Sequence, residues 1–172
     1  MSSNDEHASW VGADYQQRST GDTPVILCGA CRKLGHCRLG LVHRALDASG
    51  VSHSSVICPP EYEGGPQVAH GGWTASVLDE MLGNTSVKQG QLVVTGTLTV
   101  EFIKPVPINR ELEGRSWIER REGSRVFISG ELRLASTNAL LAKATGIFIA
   151  RDFSHFERHQ KWLAEQDQSA GG

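Results

Sequence analysis

The sequence has few cysteines, no excess of either charge and no long apolar run. Four cysteines among 172 residues are too few for the disulfide scaffold of a small secreted domain. Its 17 basic and 19 acidic side chains give a formal net charge of −2, so no basic excess favours nucleic acid or an anionic membrane as a partner. The apolar runs are too short to form a transmembrane helix.

The first residues are polar and acidic, without the basic segment and apolar core of a signal peptide. Together with the small number of cysteines, this predicts a cytoplasmic protein in a reducing compartment. The length suits a single domain. We expect three segments: a flexible arm over residues 1–23, a folded domain over 24–151, and a polar, helical tail over 152–172.

Most of the predicted domain shows the apolar alternation of β-strands. Two short strands come first, over residues 38–46 and 51–58, and residues 61–66 have the composition of a loop. Longer strands are predicted at residues 92–104, 112–121, 125–135 and 139–151. In the first of these, alternate residues from Leu92 to Phe102 form the apolar face. Short turns between successive strands favour antiparallel pairing.

One segment between these strands has the spacing of a helix. Its apolar residues are Trp73, Val77, Leu78, Met81 and Leu82. The following pair, residues 83–84, is Gly-Asn and predicts the end of the helix. Because the segment carries little charge, we expect it to be largely buried. A buried helix among so many strands predicts an α+β fold, with one sheet wrapped around the helix.

The start of this helix is a candidate chemical site. His70 is followed by Gly71 and Gly72, and the first amides of a helix lack intrahelical acceptors and carry the positive end of its dipole. Glycine removes the side chain that would keep a ligand away. The pair therefore either binds an anion or a developing oxyanion, or simply permits a tight turn into the helix.

A second candidate is Asp79, a carboxylate on a helix with little other charge. A buried carboxylate without partners is costly, so Asp79 either has a function or faces water. It follows His70 by nine residues, which places the two on opposite faces and roughly 13 Å apart along the helix. Two copies of the helix, in a dimer, are needed to bring both to one small substrate.

Three cysteines, Cys28, Cys31 and Cys37, crowd into ten residues. They are either zinc ligands or reduced cysteines in a turn. Thiolate zinc sites usually contain two Cys-x-x-Cys pairs, and this sequence has one. We therefore assign no metal ligand and no cofactor.

The run from His70-Gly71-Gly72 to Leu78-Asp79-Glu80, with the segment from Thr95 to Pro107, resembles the PaaI-type hotdog-fold acyl-CoA thioesterases. The resemblance covers roughly residues 28–151. It implies a hotdog fold, in which an antiparallel sheet wraps around one long helix. It also implies a homodimer, with a dimer of dimers as the larger alternative, and a site at the interface between subunits.

The resemblance further implies hydrolysis of an acyl-CoA thioester, with a role for each matching residue. The Gly71 N–H would bind the thioester oxygen, and Asp79 of the partner subunit would act as general base or nucleophile. Thr95 would help to place the attacking water, and His70 would position the carbonyl. Glu80 is a rival to Asp79, because some relatives have their acid one position away.

Three further residues are expected at the substrate. Gly72 and Trp73 adjoin the helix entrance, although Trp73 would equally suit the core. Gly64 stands where some family members have asparagine, so a role that needs an amide side chain is not carried over. Two alternative functions stay open: a hydratase or dehydratase of acyl thioesters, and a non-catalytic acyl-CoA-binding module.

Overall fold

The computed structural model describes residue 31, residues 34–152 and residues 154–170. The predicted arm over residues 1–23 and Cys28 lie outside the described residues. The elements, in chain order, are β1 Leu41–Leu46, β2 Ser52–Ile57, a 3-10 helix Pro60–Tyr62, β3 Glu63–Gly65, β4 Val68–Ala69, α1 Gly71–Lys88, β5 Val93–Phe102, β6 Glu111–Glu122, β7 Arg125–Leu134, β8 Leu140–Ala150 and α2 Ser154–Ala170.

Six strands form one sheet in the order β1-β2-β6-β7-β8-β5, and every neighbouring pair is antiparallel. The predicted α+β class is confirmed. The expectation that successive strands pair is wrong for β5 and β6, because β5 pairs with β8 and β6 lies between β2 and β7. The connection between them contains Pro105 and Pro107, which cannot continue the ladder of β5. As a result, β5 lies at an edge of the sheet.

Helix α1 packs on one face of this sheet and supplies five of the buried residues of the hydrophobic core. Its apolar face is fully buried, as are the residues beneath it on the sheet. The helix contributes Trp73, Val77, Leu78, Met81 and Leu82, and the sheet contributes Leu112, Val126, Ile128, Leu132 and Phe148. The predicted helical face is therefore confirmed as the buried one.

Two glycines of the sheet allow α1 to lie close to it. A Cβ atom on Gly114 would lie 2.4 Å from Met81 Cε, and one on Gly130 would lie 2.6 Å from Leu82 Cδ1. Both distances are too short for van der Waals contact, so a side chain at either position would force Met81 or Leu82 to move. The absence of side chains at these two positions thus sets the depth at which the helix lies over the sheet.

The predicted end of the helix at residues 83–84 is wrong, because α1 continues to Lys88. Gly83 faces the Phe148 ring, which a Cβ atom there would approach to 3.4 Å, so this glycine serves packing. The helix ends at Lys88, and the chain turns away from it at Gly90, whose φ is +83°. The amides of Gly90 and Gln91 donate to the carbonyls of residues 87 and 86, which is a Schellman motif.

The predicted loop over residues 61–66 contains regular structure instead. Strands β3 and β4 form a small antiparallel hairpin directly before α1, and the turn between them includes Gln67 with a φ of 62°. A Cβ atom on Gly64 would lie 2.7 Å from His70 Cα, so only glycine lets the hairpin approach His70 this closely. The His70 amide also donates to the carbonyl of Tyr62 at 2.7 Å. These contacts fix the chain where the helix begins.

The predicted apolar face of β5 is only partly correct. Leu98 and Val100 pack against the core, but Phe102 is 56% exposed. A register irregularity between Thr95 and Thr97 interrupts the simple alternation. The Phe102 ring lies beside the start of α1, where Gly71 has no side chain to cover it.

Helix α2 begins close to where the sequence predicts a polar helix, and none of its residues is buried. No helix in the described part of the chain combines the length and the apolar character that crossing a membrane requires.

We predict that Gly130→Ala destabilises the fold, because its Cβ atom would meet both Leu82 and the Arg115 carbonyl. Overpacking of this kind lowers the free energy of unfolding by about 1–3 kcal/mol. Urea denaturation followed by circular dichroism measures the change. The control is Gly65→Ala, since no atom lies within 4 Å of the added Cβ. Equal stability of the two variants would contradict this account of helix packing.

Candidate active site

His70 caps the start of α1 with its own ring. Its Nδ1 accepts a hydrogen bond from the Gly72 amide at 2.9 Å, and its carbonyl accepts from the Thr74 amide at 3.2 Å. A ring whose Nδ1 accepts carries its proton on Nε2 when it is neutral. His70 is exposed, so a ligand can reach its side chain.

Gly71 is the first residue of the helix and is exposed. Its amide makes no hydrogen bond with the part of the chain that the structure describes, and it lies at the positive end of the helix dipole. The ring of Phe102 lies 3.6 Å from the place where a Gly71 Cβ atom would be. The structure thus presents a free backbone donor beside an aromatic surface, which suits an oxyanion.

The other predicted substrate-binding residues at this end are occupied by structural contacts. The Gly72 amide is bound to His70, and a Cβ atom on Gly72 would lie 3.0 Å from His70 Nδ1. Trp73 is 3% exposed and belongs to the core, with its ring centroid 6.5 Å from that of Tyr62. Gly64 makes room for His70, as described above. A substrate role for these three residues stays a prediction.

Asp79 lies on α1, and its carboxylate is partly buried. The Thr95 hydroxyl on β5 donates to Asp79 Oδ1 at 2.8 Å. Burial raises the pKa of Asp79 above its ordinary value, and the hydrogen bond from Thr95 acts in the opposite direction. The nearby charge of Glu80 adds to the rise in pKa. The structure therefore brings together two of the four predicted catalytic residues and raises the basicity of one.

Glu80 points away from this pair, towards β1. Its Oε1 lies 3.8 Å from Nε2 of His43, which is farther than a hydrogen bond. Burial lowers the pKa of His43, and the charge of Lys88 acts in the same direction, while Glu80 opposes both. A neutral imidazole therefore faces an acidic side chain next to the candidate catalytic acid.

The place of His43 beside the candidate catalytic acid was not predicted from the sequence, although strand alternation carried the signal. Leu41 and His43 occupy alternate positions of β1 and are both buried, so they share the face towards α1. The sequence alone did not establish which face of this weak strand lies inward, because its pattern is short.

A cavity of about 390 Å³ lies beside these acidic residues. Its wall includes Cys31, Cys37, Arg38, His43, Asp79 and Glu80. Burial raises the pKa of Cys37, so this thiol is not activated as a nucleophile. Within residues 31, 34–152 and 154–170, no group of three or more histidine, cysteine or acidic side chains is arranged to hold a metal ion.

One chain does not bring the two ends of the predicted site together. Gly71 and Asp79 are eight residues apart on a single helix, which separates them by roughly 12 Å along its axis. Asp79 contacts Thr95, whereas Gly71 adjoins Phe102 at the other end of β5. The candidate donor and the candidate acid thus form two half-sites, one near each end of the same edge strand.

Comparisons with known proteins show similarity to thioesterases. A model of the thioesterase superfamily matches residues 66–140, a range that includes both half-sites. The bovine (Bos taurus) acyl-coenzyme A thioesterase THEM4 is 33% identical over 93 residues, which make up 54% of this chain and 38% of that protein. The chain therefore spans well under half the length of this relative.

Two solved structures are similar in fold. One is a putative thioesterase, a phenylacetic acid degradation-related protein from Ralstonia eutropha, with 25% identity, a TM-score of 0.62, and coverage of 78% of this chain and 96% of that one. The other is the Escherichia coli PaaI protein, with 19% identity, a TM-score of 0.63, and coverage of 73% and 86%. The sheet, its central helix and these matches show that the chain has the hotdog fold and that residues 66–140 resemble the thioesterase superfamily.

Proposed function

We propose that the protein is an acyl-CoA thioesterase that works as a homodimer, with each site built from Gly71 of one subunit and Asp79 of the other. The observation that carries this proposal is the position of both half-sites along the free edge strand. Thr95, which holds Asp79, and Phe102, which adjoins Gly71, are seven residues apart on β5. That interval is about 23 Å of extended chain.

A two-fold symmetry axis at the outer edge of β5 would bring Gly71 of one subunit close to Asp79 of the other. If two copies of β5 pair antiparallel about a point near Leu98 and Thr99, each Thr95 lies close to the partner subunit's Phe102. Asp79 then faces the partner subunit's Gly71, and two equivalent sites form. Among the described residues, β5 pairs only with β8, and the same pairing gives hydrogen-bond partners to the backbone groups on its other edge.

In this arrangement the Gly71 amide receives the thioester carbonyl oxygen. The N–H group is already in place and lies at the positive end of the helix dipole, so it stabilises the negative charge that develops on that oxygen. The exposed His70 at the same end of the helix positions the carbonyl. The Phe102 ring beside Gly71 provides an apolar surface on one side of this donor.

Asp79 supplies the attacking group in one of two ways. As a general base, it takes a proton from water while the water oxygen bonds to the carbonyl carbon. As a nucleophile, its own oxygen forms that bond, and water then hydrolyses the resulting anhydride. In both cases the carbon–sulfur bond breaks, coenzyme A leaves as the thiol after taking up a proton, and the free acid remains. The Thr95 hydroxyl holds the carboxylate in position for either step.

The name of the bovine relative, an acyl-coenzyme A thioesterase, supports this substrate class. The partly buried carboxylate and its raised pKa support the role of Asp79. A cytoplasmic location and an assembly of two dimers stay predictions from the sequence.

We predict that Asp79→Asn lowers kcat for acyl-CoA hydrolysis at least about 100-fold, because the amide neither accepts the proton nor attacks the carbonyl. Release of free thiol from short-chain acyl-CoA measures the rate, and circular dichroism checks the fold. Asp167→Asn on the exposed surface of α2 is the matched control. A larger loss in Glu80→Gln than in Asp79→Asn would assign the catalytic role to Glu80 and contradict the proposal. Hydration of an enoyl-CoA without thiol release would contradict it in favour of a hydratase.

We predict that Thr95→Val moves the acid limb of the pH profile to higher pH. The reaction needs ionised Asp79, so kcat/KM falls as pH drops through the pKa of this group. Burial places that pKa above the ordinary value of 3.8, and the Thr95 hydrogen bond partly offsets the rise. Removal of the hydroxyl therefore raises the pKa further.

The measurement is kcat/KM for one acyl-CoA against pH, and the exposed Thr145→Val on β8 is the control. Because the midpoint of the limb is compared, a general loss of rate in the variant does not affect the result. A midpoint that stays in place or moves to lower pH would show that Asp79 does not control this limb.

A further inference from the structure

The cavity beside Asp79 has a composition that a simple alkyl pocket would not have. Its volume of about 390 Å³ is near the lower end of the range of roughly 300–1,000 Å³ for small-molecule pockets. Alongside Leu39, its wall carries the side chains of His43, Tyr62, Ser76 and Glu80. Most of these side chains can form hydrogen bonds with a ligand.

His43 is a buried polar group of this wall. It is 5% exposed, and its Nε2 lies 3.8 Å from Glu80 Oε1, a contact longer than a normal hydrogen bond. A buried polar group without a hydrogen bond is costly. Burial also lowers the pKa of His43, so the ring is neutral near pH 7 and offers one donor and one acceptor. Since the ring borders the cavity, a ligand there can supply a hydrogen bond.

We propose that this cavity holds the acyl group of the substrate, and that His43 and Glu80 select a short acyl chain bearing a hydroxyl group. The inference rests on the proposed thioesterase function and names the substrate class of that same site. Asp79 lines the cavity together with Glu80, so an acyl group inside it has its carbonyl end next to the candidate catalytic acid.

The distance between the two side chains suits a hydroxyl. His43 Nε2 and Glu80 Oε1 are 3.8 Å apart. A hydroxyl oxygen can therefore lie about 2.8 Å from both atoms at once. It can accept the imidazole N–H and donate its own proton to the carboxylate. A plain alkyl chain would offer the buried His43 imidazole no hydrogen-bond partner.

The position of this pair also limits the length of the acyl group. Glu80 directly follows Asp79 on α1, so their side chains leave the helix at neighbouring points. A hydroxyl that reaches Glu80 while the thioester carbonyl lies at Asp79 is only a few carbon atoms from that carbonyl. A long unbranched chain would pass the polar pair and exceed the small cavity.

The test compares two substrates that differ by one hydroxyl, 3-hydroxybutyryl-CoA and butyryl-CoA, in a thiol-release assay. We predict that kcat/KM is at least about tenfold higher for the hydroxylated substrate, because a plain alkyl chain leaves the buried His43 imidazole without a hydrogen-bond partner. Equal values for the two substrates would overturn the inference.

Variants of His43 separate recognition from a structural role. We predict that His43→Leu lowers the ratio of the two kcat/KM values to about one, since its side chain cannot hydrogen-bond. His43→Gln keeps a side-chain N–H and should retain more of the preference. His159→Leu, on the exposed surface of α2, is the matched control for the ratio. A His43→Leu protein that is folded and keeps the parent ratio would overturn the inference.

Failure of the proposed function has a different signature. Calorimetric binding of the same two substrates to Asp79→Asn requires no turnover. If the parent protein hydrolyses no acyl-CoA while Asp79→Asn still binds 3-hydroxybutyryl-CoA more tightly than butyryl-CoA, the thioesterase function fails and the pocket assignment holds. If hydrolysis occurs and neither rate nor binding distinguishes the substrates, the pocket assignment fails alone.

Discussion

The rigidity of α1 is the constraint on which the proposed chemistry depends. One uninterrupted helix of 18 residues carries both the free amide of Gly71 and the carboxylate of Asp79. A regular helix keeps them roughly 12 Å apart, and no rotation of side chains removes that separation. A site that needs both groups must therefore draw them from two helices, which makes assembly of two chains part of the proposed mechanism.

The rest of the fold holds that helix in a defined place relative to an open edge. Gly114 and Gly130 let α1 lie deep on the sheet, and the β3–β4 hairpin fixes its start at His70. Strand β5 is left at the sheet edge, and it contacts α1 at Thr95 and adjoins it at Phe102. Because both contacts lie on one strand, pairing of two such strands places the half-sites opposite each other. The cavity beside Asp79 extends each site inwards.

The sequence predicted the local features of this protein better than the long-range ones. Helical spacing and the residue motif predicted the buried face of α1 and its start at His70, and the role of Asp79 stays a prediction. The helix end was mispredicted because Gly83 faces Phe148, a contact 65 positions away in the chain that no local pattern contains. The hairpin before His70 was missed for a similar reason, since its glycines resemble those of an ordinary loop. The place of His43 was not predicted because its environment is created by Glu80 on another element.

The most direct test of the central claim uses two inactive variants in one dimer. Gly71→Pro deletes the donor N–H, and proline is well tolerated at the first position of a helix, after a residue as extended as His70. Gly71→Pro and Asp79→Asn chains with different tags are co-expressed, and the heterodimer is purified through both tags. Shared sites predict that this heterodimer recovers about half of the parent thioesterase activity, since one of its two sites draws intact groups from both chains. A heterodimer as inactive as the two homodimers would show that each site lies within one chain and would contradict the account.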